Sequence, residues 1–306
     1  MTTVNEDPSP AAAAGPEAAS DIQRVGVVGA GQMGSGIAEV CARAGLDVRI
    51  VEVSGQALEI GRSRLWNSLD RAVERGKLEP AERERLVERL EFTTDITELA
   101  DRDLVIEAVV ENLQVKTELF TALDRVVTRP DAILATNTSS FPIIRIATAT
   151  SRPQQVLGIH FFNPATVQPL VELIPSMATS TETVERAHAL ATAVLGKQAI
   201  RAGDRAGFVV NALLIPYLLS AVRMYESGFA SAEDIDNGMV YGCAHPMGPL
   251  RLTDLVGLDT TLAVADSLWE EFREPQYAAP PLLRRMVDAG LLGKKVGRGF
   301  YDYTKD

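Results

Sequence analysis

The chain has 306 residues, of which 46% are hydrophobic and 23% charged, values typical of a globular protein large enough for two domains. Its formal net charge of −11 argues against general nucleic-acid binding, which depends on Lys and Arg to neutralise phosphates. No apolar run reaches the roughly 18 residues that a membrane span requires, so we expect no contact with a membrane.

The N-terminal segment predicts no folded structure. Residues 1–20 are rich in Ala and Pro and contain three acidic residues but no Lys or Arg. A signal peptide needs a basic start and an apolar centre, and this segment has neither, so we interpret residues 1–21 as a disordered tail. The two cysteines, Cys41 and Cys243, lie far apart. They offer neither a disulfide framework nor a zinc spacing, which predicts a cytoplasmic protein without a metal.

The first folded segment has the pattern of a dinucleotide-binding unit. Residues 24–28 predict a buried strand that leads into Gly-Ala-Gly-Gln-Met-Gly at residues 29–34, followed by a helical pattern. Gly29 permits a tight turn, Gly31 lets the backbone approach a pyrophosphate, and Gly34 lets helix and strand pack closely. A second strand ends in Glu52, which is positioned to accept hydrogen bonds from the adenine ribose and so favours NAD over NADP.

Strand and helix patterns continue to alternate after this unit. Residues 103–109 and 132–135 predict strands, and residues 112–127 predict an amphipathic helix between them. Such alternation indicates a doubly wound parallel sheet, in which ligands bind beyond the carboxyl ends of the strands. Glu111 and the polar residues 137–140 follow predicted strand ends, so we expect them near the ligand.

A histidine and a carboxylate form the candidate catalytic pair. His160, one of three histidines in the chain, ends the apolar strand at residues 156–159, and Glu172 lies inside the apolar run 170–174. Histidine is suited to proton transfer near neutral pH, and a buried acid must be paired or functional. In neighbouring strands the acid would orient the imidazole and stabilise its protonated form. The alternative is a hydrogen-bonded core histidine; the position at the ligand-binding end of the sheet favours the catalyst.

In combination, these motifs resemble those of the L-3-hydroxyacyl-CoA dehydrogenase family, and particularly its bacterial 3-hydroxybutyryl-CoA dehydrogenases. The resemblance extends from Gln23 to Tyr303. The segments that carry it are residues 29–36, 107–112, 136–140, 160–164, 207–211, 245–249 and 299–303.

The resemblance implies a role for each candidate residue. His160 would be the general base for the 3-hydroxyl proton and Glu172 would orient it, while Ser139 and Asn211 would hydrogen-bond the reacting oxygen. Asn163 would hold the thioester end of the substrate. The implied NAD-binding residues are Gly29, Gly31, Gln32, Met33, Gly34, Glu52, Glu111, Lys116 and Asn137.

A basic helix is the candidate site for the CoA moiety. Residues 56–77 predict one long helix on which Arg64, Ser68, Arg71 and Arg75 share a face. The resemblance implies that Ser68 and Arg75 contact CoA. The alternative is a solvated basic face that nearby acidic residues balance.

The last third of the chain predicts helices, with no strand pattern before the terminal aromatic segment. Helical patterns cover residues 208–226, a segment capped by Ser231, residues 258–272 and residues 281–289. We therefore predict a Rossmann-type NAD-binding domain at residues 22–204 and an all-helical domain at 205–306. The resemblance implies that the helical domain closes the cleft and forms a homodimer. The sequence departs from the family by lacking Pro at Ala206 and Arg at Ala212.

The predicted function is NAD-dependent, reversible oxidation of short-chain L-3-hydroxyacyl-CoA. One alternative keeps the reaction but places the acyl group on an acyl carrier protein, whose acidic helix would suit the basic face of residues 64–75. Another is a non-catalytic NAD(H)-binding protein, since fold alone does not establish an activity.

Overall fold

An eight-stranded sheet forms the centre of the protein in the computed structural model, which describes residues 20–304. The predicted tail therefore lies, up to residue 19, outside the described residues. The strands are β1 (Arg24–Val28), β2 (Asp47–Val51), β3 (Leu90–Thr93), β4 (Leu104–Glu107), β5 (Ile133–Thr136), β6 (Val156–Phe161), β7 (Leu170–Pro175) and β8 (Gln198–Arg201).

The strand order is β3-β2-β1-β4-β5-β6-β7-β8, and every neighbouring pair is parallel except β6 and β7. Strands β4, β5 and β6 are buried along their whole length, as expected for apolar strands covered on both faces. The order reverses direction between β1 and β4, and the ligand crevice of such a sheet lies at that point.

Eleven α-helices accompany the sheet within the described residues. Six belong to the sheet-containing part: α1 (Gln32–Arg43), α2 (Gly55–Glu74), α3 (Pro80–Glu88), α4 (Leu113–Val126), α5 (Ile143–Ala147) and α6 (Thr181–Ala189). Five follow it: α7 (Val210–Glu226), α8 (Ala232–Cys243), α9 (Pro249–Val256), α10 (Leu258–Phe272) and α11 (Pro281–Asp288).

The hydrophobic core is divided between the sheet-containing part and the last five helices. Two apolar clusters lie in the sheet-containing part, and a third cluster belongs to the five last helices. Its members include Ile215, Leu219, Leu250, Leu258 and Leu268. The predicted fold class, a Rossmann-type sheet followed by a helical region, is confirmed. None of the helices described between residues 20 and 304 has the length and apolarity needed to cross a bilayer.

Two predicted helices were wrong at their ends, and the backbone shows why. The helix predicted for residues 208–226 begins at Val210, because Gly207 (φ +75°) and Phe208 (φ +47°) adopt left-handed backbone that a right-handed helix excludes. The helix predicted for residues 56–77 ends at Glu74, and Gly76 (φ +65°) terminates the turn.

The sequence analysis also missed several short elements. Helix α3 buries one residue, Leu86, so it has no apolar periodicity to detect. Helix α9 starts at Pro249 in a stretch that reads as a turn, although proline is well tolerated in the first turn of a helix. Strands β3 and β8, at the two edges of the sheet, have four residues each.

Candidate active site

The glycine-rich loop after β1 has the space that a dinucleotide needs. Gly29 has φ +96°, and a Cβ added to it would lie 2.7 Å from the Ala108 carbonyl oxygen. A Cβ on Gly34 would lie 1.8 Å from the Gly29 oxygen, so helix α1 packs against the loop only with glycine there. A Cβ on Gly31, in contrast, would meet nothing within 4 Å. The loop is therefore closely packed at Gly29 and Gly34 and open at Gly31, which leaves space for a pyrophosphate next to Gly31.

The first turn of α1 supplies donors for that pyrophosphate. No side chain of residues 20–304 accepts a hydrogen bond from the backbone N–H groups of Gln32, Met33 or Gly34. Such free N–H groups and the positive end of the helix dipole favour an anion. These residues fit the dinucleotide that the sequence predicted.

The backbone N–H and the carbonyl oxygen of Ala30 are both held by side-chain hydrogen bonds that the sequence pattern did not predict. Glu52 Oε1 accepts from the Ala30 N–H at 2.6 Å, while the Ala30 oxygen accepts from Ser35 Oγ and from Arg64 Nη1, both at 2.8 Å. Glu52 lies directly after β2, as predicted, and its second oxygen accepts from the Val53 N–H at 3.1 Å. Arg64 thus links helix α2 to the dinucleotide loop.

A buried ion network lies at the carboxyl end of β4. Glu107 is fully buried and Lys116 is 1% exposed; Lys116 Nζ lies 2.6 Å from Glu107 Oε1 and 3.1 Å from Glu111 Oε2. Thr136 Oγ1 donates to Glu107 Oε2 at 2.7 Å. The resemblance implied that Lys116 lies near the nicotinamide ribose, but its ammonium is enclosed between the two carboxylates. Glu107 was not a candidate, because its position inside an apolar strand gave no sign of a partner.

Glu111 connects this network to the loop after β5. Its Oε1 accepts from the hydroxyls of Thr138 and Ser140, the latter at 2.7 Å, and from the Ser139 N–H at 3.2 Å. Burial raises the pKa of Glu111, but the charge of Lys116 and these hydroxyl donors outweigh it and hold the pKa below its usual value. Glu111 is therefore a carboxylate that fixes the Ser139 loop.

Asn137 joins the ends of two strands. Its Oδ1 accepts from the Phe161 N–H at 2.8 Å, next to His160. Ser139 and Asn211, the two residues implied to hold the reacting oxygen, are half-buried, and their side chains make no hydrogen bond within residues 20–304. Their donors are free for a ligand.

His160 and Glu172 face each other across the antiparallel pair β6–β7. His160 Nδ1 lies 2.7 Å from Glu172 Oε2, and Glu172 is fully buried. Because an ionised carboxylate only accepts, this contact places the proton on Nδ1 and leaves the Nε2 lone pair available. Within residues 20–304 no hydrogen bond reaches Nε2. Glu172 Oε1 accepts from the N–H groups of Val209 and Val210, both at 3.0 Å, where α7 starts.

The segment that enters the helical domain also packs on the histidine. The ring centroid of Phe208 lies 5.5 Å from that of His160, and Phe162 lies 4.6 Å from it, both in edge-on geometry. Asp204 accepts from the N–H groups of Ile143 and Ile144 at 2.6 and 2.9 Å and so caps α5. The linker between the two regions is thus anchored next to His160.

The loop that carries Asn163 is held from two sides. Gln32 Nε2 donates to Asn163 Oδ1 at 3.1 Å, which connects two sequence-predicted residues. Lys197, a residue that the sequence analysis missed, is 9% exposed and donates from Nζ to the oxygens of Ala165 and Gln168, both at 2.7 Å. A single lysine before a short strand gives no sequence signal, because most lysines lie on the surface.

An open groove of ≈ 730 Å³ runs along helix α2. Its lining residues are Gln56, Glu59, Ile60, Ser63, Arg64, Asn67 and Arg71. Of the candidate basic face, Arg64 and Arg71 border the groove. Ser68, half-buried, and Arg75, exposed after the last turn, are not among its lining residues.

Comparisons with known proteins agree on one family. The family model described as "3-hydroxyacyl-CoA dehydrogenase, NAD binding domain" matches residues 24–205, and the one described as "3-hydroxyacyl-CoA dehydrogenase, C-terminal domain" matches residues 207–303. Over 282 residues the chain is 61% identical to a 3-hydroxybutyryl-CoA dehydrogenase of Mycobacterium tuberculosis, which covers 92% of this chain and 99% of the relative.

Solved structures give the same result. The crystal structure of M. tuberculosis FadB2 matches with a TM-score of 0.92 and 61% identity, covering 92% of this chain and 99% of that one. The (S)-3-hydroxybutyryl-CoA dehydrogenase of Ralstonia eutropha matches with a TM-score of 0.88 and 44% identity, covering 93% of this chain and 100% of that one.

Proposed function

The chain belongs to the 3-hydroxyacyl-CoA dehydrogenase family of NAD-dependent oxidoreductases, and we propose that it reversibly oxidises short-chain L-3-hydroxyacyl-CoA, especially 3-hydroxybutyryl-CoA, to 3-oxoacyl-CoA. The observation that carries the proposal is the 2.7 Å contact between His160 Nδ1 and Glu172 Oε2 at the ligand-binding end of an NAD-binding sheet. A protein that only binds nucleotides has no need of a base and a carboxylate that orients it.

In the proposed mechanism, His160 is the general base. Its Nε2 accepts the proton of the substrate 3-hydroxyl, and Glu172 stabilises the resulting imidazolium through Nδ1. NAD, when bound, would supply the acceptor for the hydride that leaves C3. The N–H groups of Val209 and Val210 donate to the other carboxylate oxygen and hold Glu172 in the orientation that faces His160. In the reverse direction His160 returns the proton to the oxygen.

The remaining site residues position the reactants in this proposal. Ser139 Oγ and the Asn211 amide donate to the reacting oxygen, and Asn163 holds the thioester end. Gly29, Gly31, Gln32, Met33 and Gly34 surround the pyrophosphate, Glu52 binds the adenine ribose, and Glu111 and Asn137 border the nicotinamide half. Lys116 is buried beneath Glu111 and therefore acts through that carboxylate. Arg64 and Arg71 join Ser68 and Arg75 as CoA contacts because they border the groove.

NADH consumption with acetoacetyl-CoA tests the proposal. Wild-type protein is expected to turn over, and His160→Gln to lower kcat by about 10²–10⁴-fold, the usual contribution of a general base. His188→Gln, at a half-buried histidine on α6, is the matched control and should retain wild-type activity. No turnover by the wild type, or an active His160→Gln variant, would contradict the assignment. Tight NADH binding without turnover on any hydroxyacyl thioester would instead support a non-catalytic binding protein.

The groove along α2 supports a second candidate, the same reaction on an acyl carrier protein. Arg64 and Arg71 border an open groove that an acidic carrier helix would suit as well as the phosphates of CoA. Rates measured on matched hydroxybutyryl thioesters of CoA and of a carrier protein distinguish the two. A higher kcat/KM on the CoA thioester is expected.

The proposal includes the organisation of the protein. Residues 22–204 form the NAD-binding domain, and residues 205–306 form a helical domain that closes the cleft and joins two copies as a homodimer. Exposed apolar side chains on that domain support the dimer: Leu213, Phe229 and Tyr241 are 74, 77 and 83% exposed. Light scattering should give twice the chain mass. The free thiols of Cys41 and Cys243 support a cytoplasmic location.

A further inference from the structure

Three charges that lie together at the carboxyl ends of β4 and β5 do not cancel. Lys116 Nζ contacts Glu107 at 2.6 Å and Glu111 at 3.1 Å. Within residues 20–304, no other cationic side chain comes within 4.0 Å of either carboxylate. One ammonium and two carboxylates sum to one negative charge. Glu107 and Lys116 are sealed in the interior, whereas the Glu111 side chain is 39% exposed, so the excess charge acts outward through Glu111.

Glu111 keeps that charge at neutral pH. Burial raises its pKa, but Lys116 and the hydroxyls of Thr138 and Ser140 together lower it below the usual value. The hydrogen bonds that it accepts also prevent the carboxylate from rotating away. A preorganised charge of this kind acts on a ligand without a cost of reorganisation.

The fold brings the nicotinamide end of the cofactor toward Glu111. The loop after β1 and the first turn of α1 take the pyrophosphate, and Glu52, after β2, lies on the adenosine side. The other half of the dinucleotide therefore extends across the switch point toward the ends of β4 and β5. Glu111 follows β4 and is bonded to the loop after β5.

The proposed reaction moves one positive charge across this site. Before oxidation the nicotinamide ring is cationic and His160 is neutral; afterwards the ring is neutral and His160 is an imidazolium, because the hydroxyl proton has gone to Nε2. Glu172, 2.7 Å from His160, is the carboxylate beside the charge after oxidation. Glu111 is the carboxylate on the nicotinamide side, where the charge lies before oxidation.

We propose that Glu111 is the counter-ion of the oxidised nicotinamide, and that its opposition to Glu172 sets the equilibrium between the two states of the bound reactants. This inference rests on the proposed function for the role of Glu172, whereas the role of Glu111 requires the cofactor alone. Glu111 strengthens the binding of NAD relative to NADH. Its loss shifts the bound equilibrium toward NADH and 3-oxoacyl-CoA.

The test compares the Kd values of NAD and NADH for Glu111→Gln, measured by calorimetry without a thioester. Gln keeps an acceptor oxygen for Thr138, Ser139 and Ser140 but removes the charge. The ratio of the Kd of NAD to that of NADH should rise about tenfold, the size expected for one partly solvated charge. Glu118→Gln, at an exposed acid on helix α4, which begins just after Glu111, controls for the change in net charge and should leave the ratio unchanged.

Two further variants separate charge from structure. Glu111→Asp keeps the charge, so it should restore most of the wild-type ratio even if both affinities fall. If Glu111→Gln does not fold, Glu111→Ala carries the same comparison. Equal weakening of NAD and NADH by the neutral variants would overturn the proposal and leave Glu111 a purely structural role in the Ser139 loop.

The same measurements distinguish this proposal from the proposed function. A wild type that shows no thioester turnover, combined with a shifted Kd ratio in Glu111→Gln, would overturn the function and support the counter-ion. Normal turnover with an unchanged Kd ratio would support the function and overturn the counter-ion.

Discussion

Strand β4 has buried charges at both ends, and the two ends differ in how many polar atoms are left open. At the amino end, Asp103 Oδ2 accepts from the N–H groups of Gln23 and Arg24 at 2.9 and 2.8 Å, and Oδ1 lies 3.0 Å from Arg129 Nε. Arg102, 2% exposed, contacts Asp47 and Asp101. Each acid at this end meets an amide or a guanidinium, although Arg129 Nε, which faces Asp103, makes no hydrogen bond within residues 20–304.

The carboxyl end has the same kinds of charges but is incomplete. Glu107 and Lys116 are paired, yet the side chains of Ser139 and Asn211 and the Nε2 atom of His160 have no hydrogen-bond partner among residues 20–304. The Ser139 and Asn211 side chains are half-buried, so a ligand that enters the site reaches them. The acids at the amino end bind backbone and guanidinium groups of the fold, whereas the carboxyl end leaves polar groups open for the ligands of the proposed function.

Glu172→Gln should give the largest effect on the carboxyl end. The neutral amide no longer stabilises an imidazolium, so we expect kcat to fall by about 10²–10³-fold with the fold retained. Steady-state kinetics with acetoacetyl-CoA and a thermal melt provide the measurement. Glu185→Gln, at an exposed acid on α6, is the control. Wild-type kcat in Glu172→Gln would remove the distinction between the two ends.

Asp103→Ala should lower the stability of the fold and leave ligand binding unchanged. It leaves the N–H groups of Gln23 and Arg24 without their acceptor and Arg129 without its ion-pair partner, so the free energy of unfolding should fall by about 3 kcal/mol. Urea unfolding measures this loss. The Kd of NADH for the folded fraction should not change, and a lowered affinity for NADH would mean that the amino end also serves the ligand.

Lys197→Met should affect substrate binding more than turnover. The oxygens of Ala165 and Gln168 lose their donor, the loop with Asn163 loosens, and we expect KM for the thioester to rise about tenfold while kcat stays within a few-fold. Lys77→Met, at an exposed lysine, is the control. An equal fall in kcat would show that the loop acts on the chemistry itself.

Replacement of Asp124 should have the smallest effect, a pH-dependent loss in the free energy of unfolding. It lies in the last turn of α4, away from the carboxyl end of β4, and accepts from the Ser151 N–H at 2.7 Å and from Arg152 Nε at 2.8 Å. Burial raises the pKa of Asp124, but these donors outweigh it and hold the pKa below its ordinary value of 3.8. Its stabilisation is therefore present above pH 3.8 and is lost as the pH falls through the lowered pKa.

Asp124→Asn should accordingly cost about 1 kcal/mol in the free energy of unfolding at pH 7 and progressively less below pH 3.8. Urea unfolding of variant and wild type at several pH values tests the sign. A difference that grows toward low pH would contradict it.

Much of the fold could be predicted because its signals are local. Within one strand–loop–helix unit, Gly29 adopts a positive φ in the turn and Gly34 packs against Gly29. His160 and Glu172 are 12 residues apart on adjacent strands, so their contact follows from antiparallel pairing. The short edge strands and the polar helix α3 were not predictable, since none of them has a clear apolar period.

The sequence by itself determined the fold class, the dinucleotide loop and the residue types at the strand ends, because steric limits and apolar periodicity act over a few neighbouring residues. Only the tertiary structure decided which partner each charge has. Lys116 lies between Glu107 and Glu111, Lys197 binds the Asn163 loop, and Glu172 accepts from the start of α7. A buried charge takes whichever partner the packing of whole elements brings within about 3 Å, and short-range sequence patterns do not encode that distance.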